Sequence, residues 1–197
     1  MSPRPTRPAG GSQARGDRTR ALIVEEMVRC VLEEGFAAAS ANRVADRAGV
    51  TWGVVQYHFG NRTGILAAVI EAGFASLTAE MASITVSAGP SRERVGEVID
   101  AGWAAFSSPL SRAAFEILVA TRTDRAAELD DRLVDIARHT RRLGSMLTPG
   151  HPAVGEVIWS ALRGMALTQM VVREQIDTAR ERAALTEVVT AFLEAQP

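Results

Sequence analysis

From residue 17 onward the apolar positions recur at helical spacing. Ile23, Met27, Cys30 and Val31 describe one helix face, with Asp17 placed to cap its start and Gly35 to stop it. Ser40 can cap a short second helix that turns Val44, Ala45 and Ala48 inward. Gly49-Val50 interrupts it, and a third short helix follows from Thr51 to Tyr57. Asn61 can cap a long fourth helix carrying Ile65, Leu66, Val69, Ile70, Phe74 and Leu77, in a region closed by Gly89-Pro90. Ser91 opens a fifth, with Val95, Val98, Ile99, Trp103 and Phe106 on one face. Ser108-Pro109, a cap followed by proline at the first helical position, opens a sixth. Asp124 is placed to cap a seventh, with Leu129, Leu133, Ile136, Ala137, Leu143 and Leu147 in register. The Thr148–Pro152 stretch is a loop, and Val157, Ile158, Trp159, Leu162, Met165, Ala166 and Met170 mark an eighth helix. Thr178-x-x-Glu181 has the form of a capping box before a ninth, which carries Leu185, Val188, Val189, Phe192 and Leu193. No stretch alternates convincingly as a strand does, so the expected fold class is all-α, with about nine helices.

Composition changes this picture in three places. Residues 1–16 hold Pro, Gly and Arg with no acid, cannot bury a core, and are expected to be a disordered basic arm. The chain as a whole carries a net charge of −1, yet residues 1–62 sum to +3 and the remainder to −4. The cationic excess is thus local to the N-terminal end, as expected where one end meets phosphates and the other does not. Cys30 is the single cysteine and has no partner for an internal disulfide; on an apolar helix face it reads as a buried, inert thiol. No segment reads as long and apolar enough to span a bilayer, and no hydrophobic stretch follows the N-terminal arginines, so a cytoplasmic protein is expected.

Residues 40–59, SANRVADRAGVTWGVVQYHF, carry the functional signal. A helix-turn-helix needs a small residue inside its first helix for close packing (Ala45), a turn residue tolerant of positive φ (Gly49) and an apolar lock after it (Val50). The second helix then enters the major groove with its first residues toward base edges and phosphates. Here it presents Thr51, Trp52, Gln56, Tyr57 and His58, polar or amphipathic groups on a helix too short to stand alone. Trp52 is open to two uses, contact with DNA or packing on its own helix, whereas Phe59 reads as core. The arginines of the arm, Arg4, Arg7 and Arg15, either sit in solvent or enter a narrow minor groove.

The run from Ala45 to Arg62, ADRAGVTWGVVQYHFGNR, resembles the DNA-binding signature of the TetR family, as do the preceding Gly35-Phe36 and the following Ile65-Leu66. The resemblance is strong over residues 18–70 and beyond them is one of layout alone. It implies a basic arm at 1–16, a helix-turn-helix domain at 17–62, and a helical effector-binding and dimerisation domain at 63–197. By position it implies DNA contacts from Ser40, Arg43, Thr51, Trp52, Gly53, Gln56, Tyr57, His58 and Arg62. Two departures stand out. Gln56 replaces a tyrosine frequent at that position and is able to read adenine through its amide. Thr63 replaces the common acid after the basic residue, at the start of the fourth helix.

For the C-terminal two-thirds the resemblance implies a small-molecule pocket enclosed by helices four to seven and a four-helix bundle made by helices eight and nine of two subunits. The apolar and methionine positions nominated for the pocket are Phe74, Met81, Trp103, Phe106, Phe115, Leu118, Met146 and Met165, with Arg122 or Arg163 to pair with an anionic effector. Ordinary core packing is the competing use of each. The nominated dimer residues are Trp159, Leu162, Ala166 and Met170 on helix eight with Leu185, Val188, Val189 and Phe192 on helix nine. His58, His139 and His151 are scattered, and no phosphate loop, nucleophile elbow or metal-ligand spacing occurs, so neither catalysis, metal nor cofactor is expected. The expected function is transcriptional regulation: a homodimer on a palindromic operator in double-stranded DNA, acting as a repressor that a small hydrophobic or amphipathic effector releases. A ligand-independent DNA-binding dimer, an activator and, remotely, an all-α enzyme or carrier are the alternatives.

Overall fold

Nine α-helices and no strand account for the regular structure among the described residues of the computed structural model, which are 10–86, 91–122, 129–147, 150–172 and 176–195. In chain order they are α1 (Gly10–Glu34), α2 (Ala41–Ala48), α3 (Trp52–Phe59), α4 (Arg62–Ser83), α5 (Ser91–Ser107), α6 (Pro109–Ala120), α7 (Leu129–Leu147), α8 (Ala153–Val171) and α9 (Ala179–Glu194). The chain divides into two compact units, Met1–Val69 and Ile70–Pro197, so the division falls inside α4 rather than at its start near residue 62.

In the first unit the predicted stripe of α1 is the core: Ile23, Met27, Cys30 and Val31 are all essentially inaccessible to solvent. They share the interior with Val44 and Ala45 of α2, Val55 of α3, and Ile65, Leu66 and Val69 of α4. Gly35 stops α1 with a φ of 88°, a left-handed conformation that only glycine adopts without strain. The start of α1 differs from the sequence expectation. Residues 10–16 are helical rather than a disordered arm, and Asp17 is an interior residue, not a cap. Gln13, Ala14 and Arg15 are good helix formers that continue an already nucleated helix, and the Thr19 hydroxyl donates to the Arg15 carbonyl at 3.0 Å. Arg4, Arg7 and the rest of residues 1–9 lie outside the described residues.

In the second unit Phe106 is buried between Phe115 and Trp159, with ring centroids 4.6 and 4.7 Å away. Burial of such a ring stabilises by about 1.5–3 kcal/mol, and the tilted and edge-on geometries add to that. α5 packs against α6, α7, α8 and α9, which is why Val95, Val98, Ile99 and Phe106 are all interior. α7 and α8 approach most closely through glycines. A β-carbon on Gly155 would stand 1.8 Å from the Thr140 carbonyl oxygen, and one on Gly144 would stand 2.0 Å from the Pro152 carbonyl oxygen.

Caps follow the sequence where the geometry allows. Ser108 accepts the Ser111 N–H at 3.3 Å ahead of Pro109, and Asn61 accepts the Gly64 N–H at 3.0 Å. The capping box before α9 does not form: Thr178 makes no side-chain cap, and the carboxylate of Asp177 accepts the Ala179 N–H at 2.9 Å instead. Asp124, and the side chains of Leu129, Leu133 and Ile136, lie outside the described residues. α4 also corrects the composition reading, because its 22 residues are long and apolar enough to cross a membrane, with a mean hydropathy of 1.5 over its most apolar stretch. Alanines raise that figure, while the larger side chains Leu66, Val69, Phe74, Leu77 and Met81 are buried in the protein.

Candidate nucleic-acid interface

The turn between α2 and α3 has the geometry that its sequence predicts. Ser40 caps α2, its hydroxyl accepting the Arg43 N–H at 3.2 Å. Gly49 ends the helix at φ 63°, ψ 30°, and the N–H groups of Gly49 and Val50 donate to the carbonyls of Asp46 and Ala45 at 3.2 and 3.0 Å. These bonds satisfy carbonyls that the helix end would otherwise leave open. Thr51, extended at ψ 156°, then starts α3 with its hydroxyl free of any capping bond.

α3 gives the protein one buried side chain, Val55, and leaves Trp52, Gly53, Gln56 and Tyr57 facing solvent beside Thr51. Tyr57 is 84% exposed, its ring touching His58 edge-on at 5.0 Å. An aromatic ring held this far into water gains little from folding, and its residue type is one that gains most from a partner. A β-carbon on Gly53 would meet nothing closer than the Thr51 hydroxyl at 3.8 Å, so the fold itself does not demand glycine there. The absent side chain instead bares backbone at the start of the exposed helix. His58 is half-buried, and Phe59, expected as core, is only partly so, with the Arg20 guanidinium 5.1 Å from its ring.

Two arginines of the predicted site have other engagements. The Arg62 Nε donates to the Ala39 carbonyl at 2.7 Å and its Nη2 to the Phe36 carbonyl at 2.6 Å, while the guanidinium lies 4.4 Å from the Phe36 ring. Arg62 therefore ties the loop after α1 to the start of α4 and is not a free phosphate contact. Arg43 grips Glu34 with two parallel bonds, Nε to Oε2 and Nη2 to Oε1, each 2.9 Å. The sequence missed the neighbouring Arg47, which bonds Glu33, Glu26 and Glu34 at 2.7, 3.0 and 2.7 Å and joins α1 to α2. Hydrogen bonds that Arg47 donates to the carboxylates of Glu33, Glu26 and Glu34 hold its guanidinium above its already high pKa. The bond from Arg43, and then that from Arg47, holds the Glu34 carboxyl below the ordinary carboxylate range.

A carboxylate whose folded pKa is depressed contributes stability above its unfolded pKa and loses it as pH falls through the folded value. Acidification below about pH 4.3, the ordinary glutamate value, is therefore expected to loosen α1 from α2. Glu34→Gln should flatten that part of the acid-stability profile followed by circular dichroism; an unchanged profile would show that Glu34 contributes nothing to it. Cys30 sits beneath this network, where burial pushes its thiol upward, in keeping with an inert group.

The second unit distributes the predicted pocket residues differently from the expectation. Phe74, Met81, Phe106 and Leu118 are buried core, with Phe115, Met146 and Met165 packed against them. The spaces beside these residues, one bordering Phe74 and Phe115 and another bordering Met81 and Trp159, are each about 10 Å³, too small for an organic ligand. Arg122 is exposed and donates to the Val119 carbonyl, and Arg163 faces solvent. Of the nominated residues only Trp103 lines the large cavity, about 430 Å³, whose other walls include Ser107, Arg112, Gln169 and Arg182. These polar residues escaped a search for apolar positions.

The nominated dimer residues also divide. Trp159, Leu162, Ala166 and Val189 are buried in their own chain, and Met170 and Leu185 are half-buried. Val188 and Phe192 are exposed on α9, and Val157, Leu167 and Val171 on α8, the last 85% exposed. Helical spacing specifies that a stripe is apolar, not which part of it the chain itself covers.

Residues 23–69 match the family model described as bacterial regulatory proteins, tetR family. Several solved structures resemble the whole chain. A bacterial regulatory protein in the tetR family from Rhodococcus RHA1 is 15% identical at a TM-score of 0.67, covering 89% of this chain and 96% of that one. The multidrug binding protein EbrR complexed with imidazole is 19% identical at 0.62, covering 91% and 92%. A structure solved for the molecular basis for control of antibiotic production by bacterial hormones is 26% identical at 0.62, covering 90% and 94%. No curated protein matches the chain by sequence.

Proposed function

We propose that the chain, whose residues 23–69 match the tetR-family model, is a DNA-binding transcriptional regulator rather than an enzyme, a cytoplasmic homodimeric repressor released from a palindromic operator by a small molecule. The observation that carries the reading is α3, held by a left-handed glycine turn and presenting Thr51, Trp52, Gly53, Gln56 and Tyr57 to solvent. A helix of this size fits the major groove, where Gln56 has the donor and acceptor to pair with adenine and Tyr57 reaches sugar or thymine methyl. Phosphate contacts fall to the Thr51 hydroxyl, His58 and backbone amides at helix starts rather than to Arg43 and Arg62 in their present pairings.

A dimer follows from the apolar residues that α8 and α9 leave in water. Val157, Leu167 and Val171 recur at helical spacing on one helix and Val188 and Phe192 on the other, a surface that a second copy would cover by two-fold symmetry. Such a dimer presents two reading helices to half-sites about 34–36 Å apart. Effector release rests on α4, the helix in which the division between the two units falls. A ligand that binds the second unit better in one course of α4 than another changes the spacing of the heads, and typical couplings of about 1–3 kcal/mol alter operator affinity roughly 5–150-fold. The structures described for a multidrug binding protein and for bacterial hormone control lend the effector reading support by analogy alone.

Selection of binding sites from random duplex DNA tests the proposal. The expected winner is a palindrome, and Tyr57→Ala is expected to weaken its binding about ten- to a hundredfold with the dimer intact. Sequence-independent binding with a steep salt dependence would sink the operator reading.

A further inference from the structure

The 430 Å³ cavity of the second unit differs in kind from an oily effector pocket. Trp103 and Ser107 project into it from α5, Arg112 from α6 and Arg182 from the first turn of α9, with Gln169 of α8 beside them. Two guanidinium nitrogens here, the Nε atoms of Arg112 and Arg182, are buried and have no hydrogen-bond partner. Unpaired buried donors cost free energy, more so when charged, and native proteins rarely tolerate two around one space without an occupant. Asp177 also lines the cavity; its Oδ1 accepts the Ala179 N–H, and among the described residues no ion pair joins it to Arg112 or Arg182. Arg182 is half engaged, its Nη1 on Asp100 and its guanidinium 5.9 Å from the Trp103 ring. That leaves Arg112, among the described lining residues, as the cation whose side chain has no hydrogen-bond or ion-pair partner.

We propose that this cavity binds a small organic carboxylate with a flat apolar body. The carboxylate accepts from Arg112 and from the Arg182 Nε, Ser107 hydrogen-bonds its polar edge, and the body lies against Trp103. Arginine suits the task because its planar fork matches the two oxygens of a carboxylate. A volume of about 430 Å³ falls within the usual range for small-ligand sites and holds an aromatic acid with room for substituents. The site rests on the effector reading above and gives it a place and a ligand class. The sequence-level choice of Arg122 or Arg163 as the anion partner is replaced by Arg112 and Arg182.

The test uses the full-length protein and matched probes: benzoate, indole-3-acetate and naphthoate, their uncharged amides, and phenyl phosphate. Binding is read without DNA by calorimetry and by thermal shift. At least one carboxylate is expected to bind at least about tenfold more tightly than its amide, and Arg112→Gln is expected to remove that preference. The wild-type comparison of acid with amide stands even if the variant folds poorly, and Arg112→Lys, which keeps charge without the fork, should fall between the two. Amides that bind as well as acids, a preference that survives Arg112→Gln, phenyl phosphate binding more tightly than every carboxylate, or no binding by any probe would each overturn the proposal. Operator affinity is measured separately with the tightest carboxylate. Arg112-dependent binding that leaves operator affinity unchanged would keep the site and refute release by ligand. Release by a ligand indifferent to Arg112 would do the reverse.

Discussion

Gly155→Ala is expected to lower the melting temperature of the C-terminal unit by about 6–12 °C or to prevent its folding. The added β-carbon would lie 1.8 Å from the Thr140 carbonyl oxygen and 2.6 Å from the Gly144 nitrogen, both backbone atoms that no side-chain rotation moves aside. α7 and α8 would have to separate along the length of their contact, taking Leu143 and Leu147 away from Ile158 and Leu162 in the shared core. Overpacking that no rotamer relieves belongs to the upper end of single-substitution effects, more than about 3 kcal/mol, and each kcal/mol moves the transition of a unit this size by about 2–4 °C. Gly96→Ala is the control. It sits in α5, where the new methyl would meet only the Thr186 Cγ2 at 3.8 Å. Its expected effect is a gain of about 0.5–1 kcal/mol from lower chain entropy in the unfolded state. Equal melting temperatures for the two variants in a thermal scan would mean that the helices do not cross as closely as described.

The second large effect concerns assembly. Leu167→Glu with Val171→Glu places two charges on the exposed face of α8, where the side chains leave the monomer's own core untouched. Sedimentation should then report a monomer, and the operator affinity should fall by about 10²–10⁴, the factor lost when two linked heads become one. The folded signal and the melting of each unit should barely change, since neither side chain is buried. A variant that remains dimeric would move the subunit interface to another surface. Trp159→Glu, earlier on the same helix, would not be informative, because Trp159 is buried against Phe106 and its loss would damage the monomer first.

The N-terminal unit was readable from sequence because its determinants are local. Helical spacing picked out Ile23, Met27, Cys30 and Val31, and a positive-φ glycine at 49 is demanded by a turn of so few residues. Charge was harder to read. Arg43, Arg47 and Arg62 look alike in a sequence, yet their carboxylate and carbonyl partners lie 9 to 26 residues away, and only the folded chain pairs them. The C-terminal unit was legible as helices and illegible as sites. An apolar position at the right spacing is equally suited to core, pocket or interface, and which it becomes depends on neighbours contributed by other helices. Val188 and Val189 show this: adjacent valines, one 68% exposed and the other buried. The cavity was missed for a related reason, since Ser107, Arg112 and Arg182 belong to three helices and none of them breaks the pattern of its own.

α3 is attached to the rest of the first unit through the buried Val55, the half-buried Val54, His58 and Phe59, and the turn before it, while Trp52, Gly53, Gln56 and Tyr57 face solvent. Stability and sequence preference are thereby written on different residues. The four outward positions behave as an exchangeable cassette: they can be randomised in a library without first compensating a core, and every folded member still displays a helix at the same height and angle. Descendants of such a chain are free to adopt new operators by a few substitutions, each neutral for folding, so that target choice drifts faster than architecture.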